Sequence, residues 1–157
     1  MSYIRRKAIE GITVGDIFSV SRMLTENDVI QFADISRDYN PVHFDKRFAD
    51  AKNLNGCICH GLLAASLVTE IGGQIGWFAS EMNFRFREPV YFGDTIQCDF
   101  TITAIDRRRR AKAEAVFTNQ DNVVVLEGVI HGFIPGDEEK LVMNSMVAEG
   151  DPTNKLR

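Results

Sequence analysis

GLLAASLVTEIGGQI, running from Gly61 to Ile75, is apolar on nearly every face. A helix without a polar stripe is a buried helix, and the small residues Ala64, Ala65, Ser66, Gly72 and Gly73 let neighbouring backbone come close. Glu70 and Gln74 interrupt the run well short of the roughly 20 residues that a membrane span needs. Immediately downstream the period changes from helix to strand. MNFRFREPVYF sends Met82, Phe84 and Phe86 to one face and Asn83, Arg85 and Arg87 to the other. Gly93-Asp94 marks a turn before a second alternating run, Thr95 to Asp106. Arg107 to Arg110 reads as a hairpin connection into Ala111 to Thr118. Asn119 to Asn122 is a polar turn, and Val123 to Ile134 a last strand. One apolar helix followed by about four consecutive antiparallel strands predicts an α+β fold whose sheet curls around that helix.

Upstream, Gly15 to Leu24 carries a short strand. Thr25, with Asp28 three residues on, approximates a capping box and opens a helix. Val29, Ile30, Phe32, Ala33 and Ile35 give this helix its apolar side. It should end near Ser36, because Asn40-Pro41 disfavours helical geometry at the residue before proline. Arg37-Asp38-Tyr39-Asn40-Pro41-Val42-His43 then forms a loop, and a short helix is expected from Asp45 to Ala51. Beyond Pro135 the chain is polar and weakly periodic, a tail expected to wrap a surface or fray.

The 157 residues fit a single domain with its core over about 13–134 and the polar tail at 135–157. The 18 basic and 22 acidic side chains give a net charge of −4, which argues against a nucleic-acid-binding domain. Met1 to Glu10 has Arg5, Arg6 and Lys7 without a following apolar run, so neither a signal peptide nor a membrane span is expected. The expectation is a soluble, cytoplasmic protein. Cys57, Cys59 and Cys98 provide no disulfide framework and no second ligand pair for zinc, so they read as small, half-buried, reduced thiols. The edges of a curled sheet invite a second copy, and a homodimer or higher homo-oligomer is expected.

Chemistry concentrates in Asp38-Tyr39-Asn40-Pro41-Val42-His43. Proline restricts the loop, and a carboxylate and an imidazole converging on one water can share proton transfer near neutral pH. Asn40 can orient neighbouring groups. A capped, hydrogen-bonded loop is an equally good reading of these residues alone. His60-Gly61 adds a second element, because the N-terminus of the buried helix offers unpaired N–H groups to a developing oxyanion. The plainer reading is that Gly61 relieves crowding at the helix start. Both elements in one chain favour an enzyme.

RDYNPVH (Arg37 to His43), HGLLAASL (His60 to Leu67) and FREPVYFGD (Phe86 to Asp94) together resemble the MaoC-like, (R)-specific enoyl-CoA hydratase family. The resemblance spans roughly Thr13 to Phe133. It implies a hot-dog fold, with a sheet wrapped around one long central helix and protomers paired edge to edge. It implies Asp38 and His43 as the catalytic pair and Gly61 as the N–H donor to a thioester oxygen. It further implies Asn40 as a loop support, and Thr69 as a small hydroxyl residue near the substrate. The family commonly carries glycine where Arg37 stands, so arginine is strained there if the position requires positive φ. The implied reaction is reversible hydration of a trans-2-enoyl-CoA to an (R)-3-hydroxyacyl-CoA. It involves no metal and no cofactor beyond the CoA thioester itself. Arg85, Arg87 and Arg107 to Arg110 are candidates for the CoA phosphates. An acyl-CoA thioesterase, with Glu70 on the central helix, and a non-catalytic acyl-CoA-binding module are the alternatives.

Overall fold

The alternation downstream of Gly61 becomes a five-stranded antiparallel sheet in the computed structural model, which describes residues 1–156. The strands are β1 (Ile17–Met23), β2 (Phe78–Phe86), β3 (Thr95–Ile105), β4 (Arg110–Thr118) and β5 (Val124–Phe133), in the order β1-β3-β4-β5-β2. Inward residues alternate with outward ones. Ile96, Cys98, Phe100 and Ile102 of β3 are buried, as are Ala111, Ala113, Ala115 and Phe117 of β4. β2 pairs with β5 rather than with β3, which follows it in the chain. The segment 87–94 must therefore cross from one edge of the sheet toward the other. On the way its Val90 carbonyl accepts the Cys59 N–H at 2.7 Å, and Tyr91 bridges to Ile58. This crossing pins the residues that precede Gly61.

The helix expected from Gly61 to Ile75 is two segments, α4 (Gly61–Ala65) and α5 (Leu67–Ile75), meeting at Ser66. The reason is local competition for carbonyls. Ser66 Oγ donates to the Leu63 carbonyl and Thr69 Oγ1 to the Ser66 carbonyl, both at 2.6 Å, while the Thr69 N–H also turns back three residues to Ser66. α5 ends at Gly76, whose φ of 79° suits glycine. It packs against β1 and β3, while Met82 and Phe86 on the β2 edge stay exposed.

Upstream, the helix expected from Thr25 is α2 (Glu26–Ser36), with Thr25 and Asp28 forming both bonds of the capping box. The loop after it holds a single 3-10 turn, Pro41–His43, and then α3 (Lys46–Ala51). Both chain ends carry a helix. Residues 3–10 form α1 (Tyr3–Glu10), capped by Ser2, with Ile4 and Ala8 buried one turn apart. The tail does not fray: it folds into α6 (Asp137–Ala148), where Glu139 accepts the Gly136 N–H at 2.6 Å and Met143 is buried beside Gly76. α1 packs on α5, and α6 packs on α1. Arg5 and Asp151, both buried, lie 3.6 Å apart, and Arg5 also reaches the Gly73 carbonyl at 3.4 Å. The buried core therefore reaches beyond 13–134. Cys59 and Cys98 are free and buried, and burial pushes both thiols up to about 12.

Candidate active site

Arg37 closes α2 with φ 62° and ψ 19°, the left-handed conformation that favours glycine. The chain reverses there and presents Asp38. The Asp38 carboxylate accepts the Asn40 N–H at 3.1 Å, and Asn40 Oδ1 in turn accepts the Val42 N–H at 3.2 Å. Asn40 thus caps the 3-10 turn that brings His43 back toward Asp38, and this side-chain bond stays within the loop. His43 Nδ1 lies 2.8 Å from the Ile58 carbonyl. A carbonyl only accepts, so Nδ1 carries the hydrogen and the Nε2 lone pair is left facing Asp38. The Nε2 to Asp38 Oδ2 separation is 3.8 Å, beyond direct bonding. One water about 2.8 Å from each atom could bridge them.

Burial is the main effect on His43 and holds its imidazole below the ordinary 6.5. The Ile58 carbonyl and the Asp38 carboxylate oppose that shift, while the charge of a protonated His60 would add to it. The Asp38 side chain is half-exposed and His43 is buried, so the pair sits at the floor of an opening. That opening is a cavity of about 630 Å³, lined by Asp38, His43, Gly61, Leu62, Phe86 and Val90 among others. Gly61 heads α4, and no acceptor among the described residues takes its N–H. A Cβ at this position would lie 2.5 Å from the Phe86 ring. Glycine therefore serves the packing of Phe86, and it also leaves an N–H open to an oxygen in the cavity.

Asp38, His43 and Gly61 are brought together as the sequence implied. Thr69 is not part of this cavity. It stands two turns along the central helix from Gly61, bonds back to Ser66, and lines a separate cavity with Trp77, Met82 and Phe100. Among the arginines, Arg87 lines the cavity that holds Asp38 and His43 but is engaged by Glu127, at 2.8 Å through Nε. Arg85 pairs in register with Glu127 on the sheet face turned away from the helix. Arg108 and Arg109 lie near Gly76, at the opposite end of the central helix.

The residue that sequence reasoning passed over is His60. Its ring stacks on His43 with centroids 3.8 Å apart, and its Nε2 lies 2.9 Å from the Asp38 carbonyl. The signal available was an imidazole inside an apolar stretch, immediately before Gly61. Donor atoms of Asp38, His43 and His60 all fall within 4.8 Å of one another. Metal coordination suits them poorly, because His60 Nε2 must carry hydrogen to meet a carbonyl, which leaves it no lone pair.

No described helix is long and apolar enough to cross a membrane. The chain is 29% identical over 132 residues to a mitochondrial 3-hydroxyacyl-[acyl-carrier-protein] dehydratase of Arabidopsis thaliana, covering 79% of this chain and 78% of that protein. It is 30% identical over 135 residues to the 3-hydroxybutyryl-CoA dehydratase of Methylorubrum extorquens, covering 83% and 85%. The solved (R)-hydratase of A. caviae involved in PHA biosynthesis superposes with a TM-score of 0.75 and 27% identity, over 80% of this chain and 99% of that one. The hot-dog arrangement, a sheet around a central helix, is shared with that hydratase. The MaoC-like domain model matches residues 15–124, from the strand before α2 into the start of β5, and this chain belongs to that family.

Proposed function

We propose that the protein catalyses the reversible, (R)-specific hydration of a trans-2-enoyl-CoA to a 3-hydroxyacyl-CoA. The observation that carries this is the pairing of His43 Nε2 and Asp38 Oδ2, 3.8 Å apart, in one cavity with the unpartnered Gly61 N–H. In the forward direction, His43 Nε2 takes a proton as the oxygen of the bridging water bonds to C3. The π electrons move toward the thioester, and the negative charge on its oxygen is met by the Gly61 N–H. The pair then returns one proton to C2, so water is added across the bond and the enzyme ends as it began. The (R) sense is supported by the names of relatives that share this fold. Nothing in this sequence of steps calls for a metal or a redox cofactor.

A thioesterase would need a carboxylate on the central helix. The candidate, Glu70, is bound by Arg22 at 3.2 Å and lies outside the catalytic cavity, which favours hydration. The test is loss of the enoyl-thioester absorbance when purified protein meets crotonyl-CoA or a longer enoyl-CoA. Turnover unaffected by a chelator is expected. Release of free CoA without hydration, or activity lost to chelator and restored by a divalent ion, would overturn this reading.

A further inference from the structure

His60 is the N-cap of α4 and 2% exposed, yet its Nδ1 is buried with no hydrogen-bond partner. Phe32 packs on its ring at 5.0 Å, and Phe44 stands edge-on at 6.3 Å. A residue needed only to fill this apolar place would be cheaper as phenylalanine, which leaves no buried nitrogen unpaired. The imidazole must therefore contribute something that offsets its orphaned atom. What it contributes is the bond from Nε2 to the Asp38 carbonyl, across 22 residues of chain.

The other hydrogen bonds of the Asp38 main chain and carboxylate are local: the Asp38 N–H meets Ser36 Oγ, and the Asn40 N–H meets Asp38 Oδ1. They shape the loop without fixing it to the body of the protein. The loop also begins at Arg37, in a conformation that arginine adopts at a cost. The same His60 ring backs His43 at 3.8 Å, and the next residue is Gly61. One buried side chain thus touches the loop of Asp38 and the ring of His43, and adjoins the oxyanion donor.

We propose that His60 is a positioning residue, its Nε2 holding the Asp38 backbone in the register that lets the Asp38 carboxylate and His43 reach one water. This deepens the hydration reading and rests on it. Two substitutions separate positioning from packing. His60→Phe keeps the ring and loses the donor. His60→Gln keeps an amide N–H at the place of Nε2 and loses the ring.

Positioning predicts that His60→Phe lowers kcat by about 10- to 100-fold with KM changed little, because small misplacements at a reacting centre cost on that scale. His60→Gln recovers most of this, to within about fivefold of wild type, even if its Tm falls. Packing alone predicts the reverse order: a benign phenylalanine and a damaging glutamine. That reverse order overturns the proposal. If His60→Phe does not fold, His60→Gln decides alone, supporting the proposal within about fivefold of wild-type kcat and overturning it beyond that.

A second readout does not depend on the substrate. The NMR titration of His43 should shift in His60→Phe and return toward wild type in His60→Gln, which lacks the imidazole but keeps the donor; an unchanged titration in folded His60→Phe, or an equal shift in both variants, overturns positioning. A wild type that hydrates no enoyl-CoA sinks the hydration reading, and the titration still decides the role of His60.

Discussion

Asp38 and His43 are five residues apart, and each is held by a different carbonyl system. His43 is oriented from behind by Ile58, while Asp38 is fixed through its own backbone by His60. Two groups that share one water act as a unit, so their loss should not add. Asp38→Asn and His43→Gln are each expected to lower hydration by about 10² to 10⁴. The double variant should be little worse than either single one. Near-normal turnover in a well-folded Asp38→Asn protein would remove Asp38 from the mechanism. The pH profile follows from burial of His43. Its folded value lies below 6.5, so Nε2 stays unprotonated through neutral pH. The acid limb of kcat/KM should have its midpoint below 6.5, and a limb centred above 6.5 would contradict the assignment. The same shift has a stability consequence. The unfolded chain binds the proton more readily, so the contribution of His43 is intact above 6.5 and is lost as pH falls through its lower folded value.

At the scale of elements, the readings that succeeded were those with a local physical cause. The Thr25–Asp28 box opens α2 as read, and alternating residues become β3, β4 and β5. Asp38, His43 and Gly61 were legible because a proline-restricted turn and a helix start lie within 24 residues of one another. Ser66 was legible only as a small residue; that its hydroxyl would divide the central helix depends on which carbonyl it reaches. The fully buried apolar residues of α1 are Ile4 and Ala8, and α6 buries Met143 alone, so neither displays a stripe strong enough to read. Where Thr69, Arg85, Arg108 and Arg109 stand relative to the cavity was not legible for a different reason. Linear spacing does not say which face of a sheet, or which end of a helix, a side chain occupies. The two unread helices carry a prediction of their own. Asp151→Ala would leave Arg5, 5% exposed, without its partner. Removing one member of a buried pair costs about 3 to 5 kcal/mol. A Tm lower by roughly 6 to 20 °C is expected, with kcat of the folded fraction unchanged because this pair lies away from the catalytic cavity. An unchanged Tm would show that the clasp contributes nothing to stability.

At the scale of the whole molecule, the sheet is larger than the helix it wraps. α5 covers β1 and β3, while Met82 and Phe86 on the inner face of β2 remain 42% and 56% exposed. The register with β5 shows that this is not a polar edge turned to solvent. Met82 opposes Ile130, Phe84 opposes Gly128 and Phe86 opposes Leu126, all on the inner side. An open strand edge beside uncovered apolar residues is what a second copy of the chain would satisfy, by adding its own β2 and burying both faces. This surface adjoins the candidate site, because Phe86 lines the cavity of Asp38 and His43 and packs over Gly61. The wild type should therefore be at least a dimer at micromolar concentration by light scattering. Met82→Lys is the sharper test. Its side chain is already 42% exposed in one chain, so lysine should fold without difficulty. A charge placed in a paired interface, facing its own symmetry mate, should drive the protein to monomer. Hydration should fall with it, as Phe86 and the wall of the cavity lose their cover. A Met82→Lys protein that keeps wild-type mass would show that β2 is not the pairing edge. A fully active monomeric wild type would show that one chain builds the whole site.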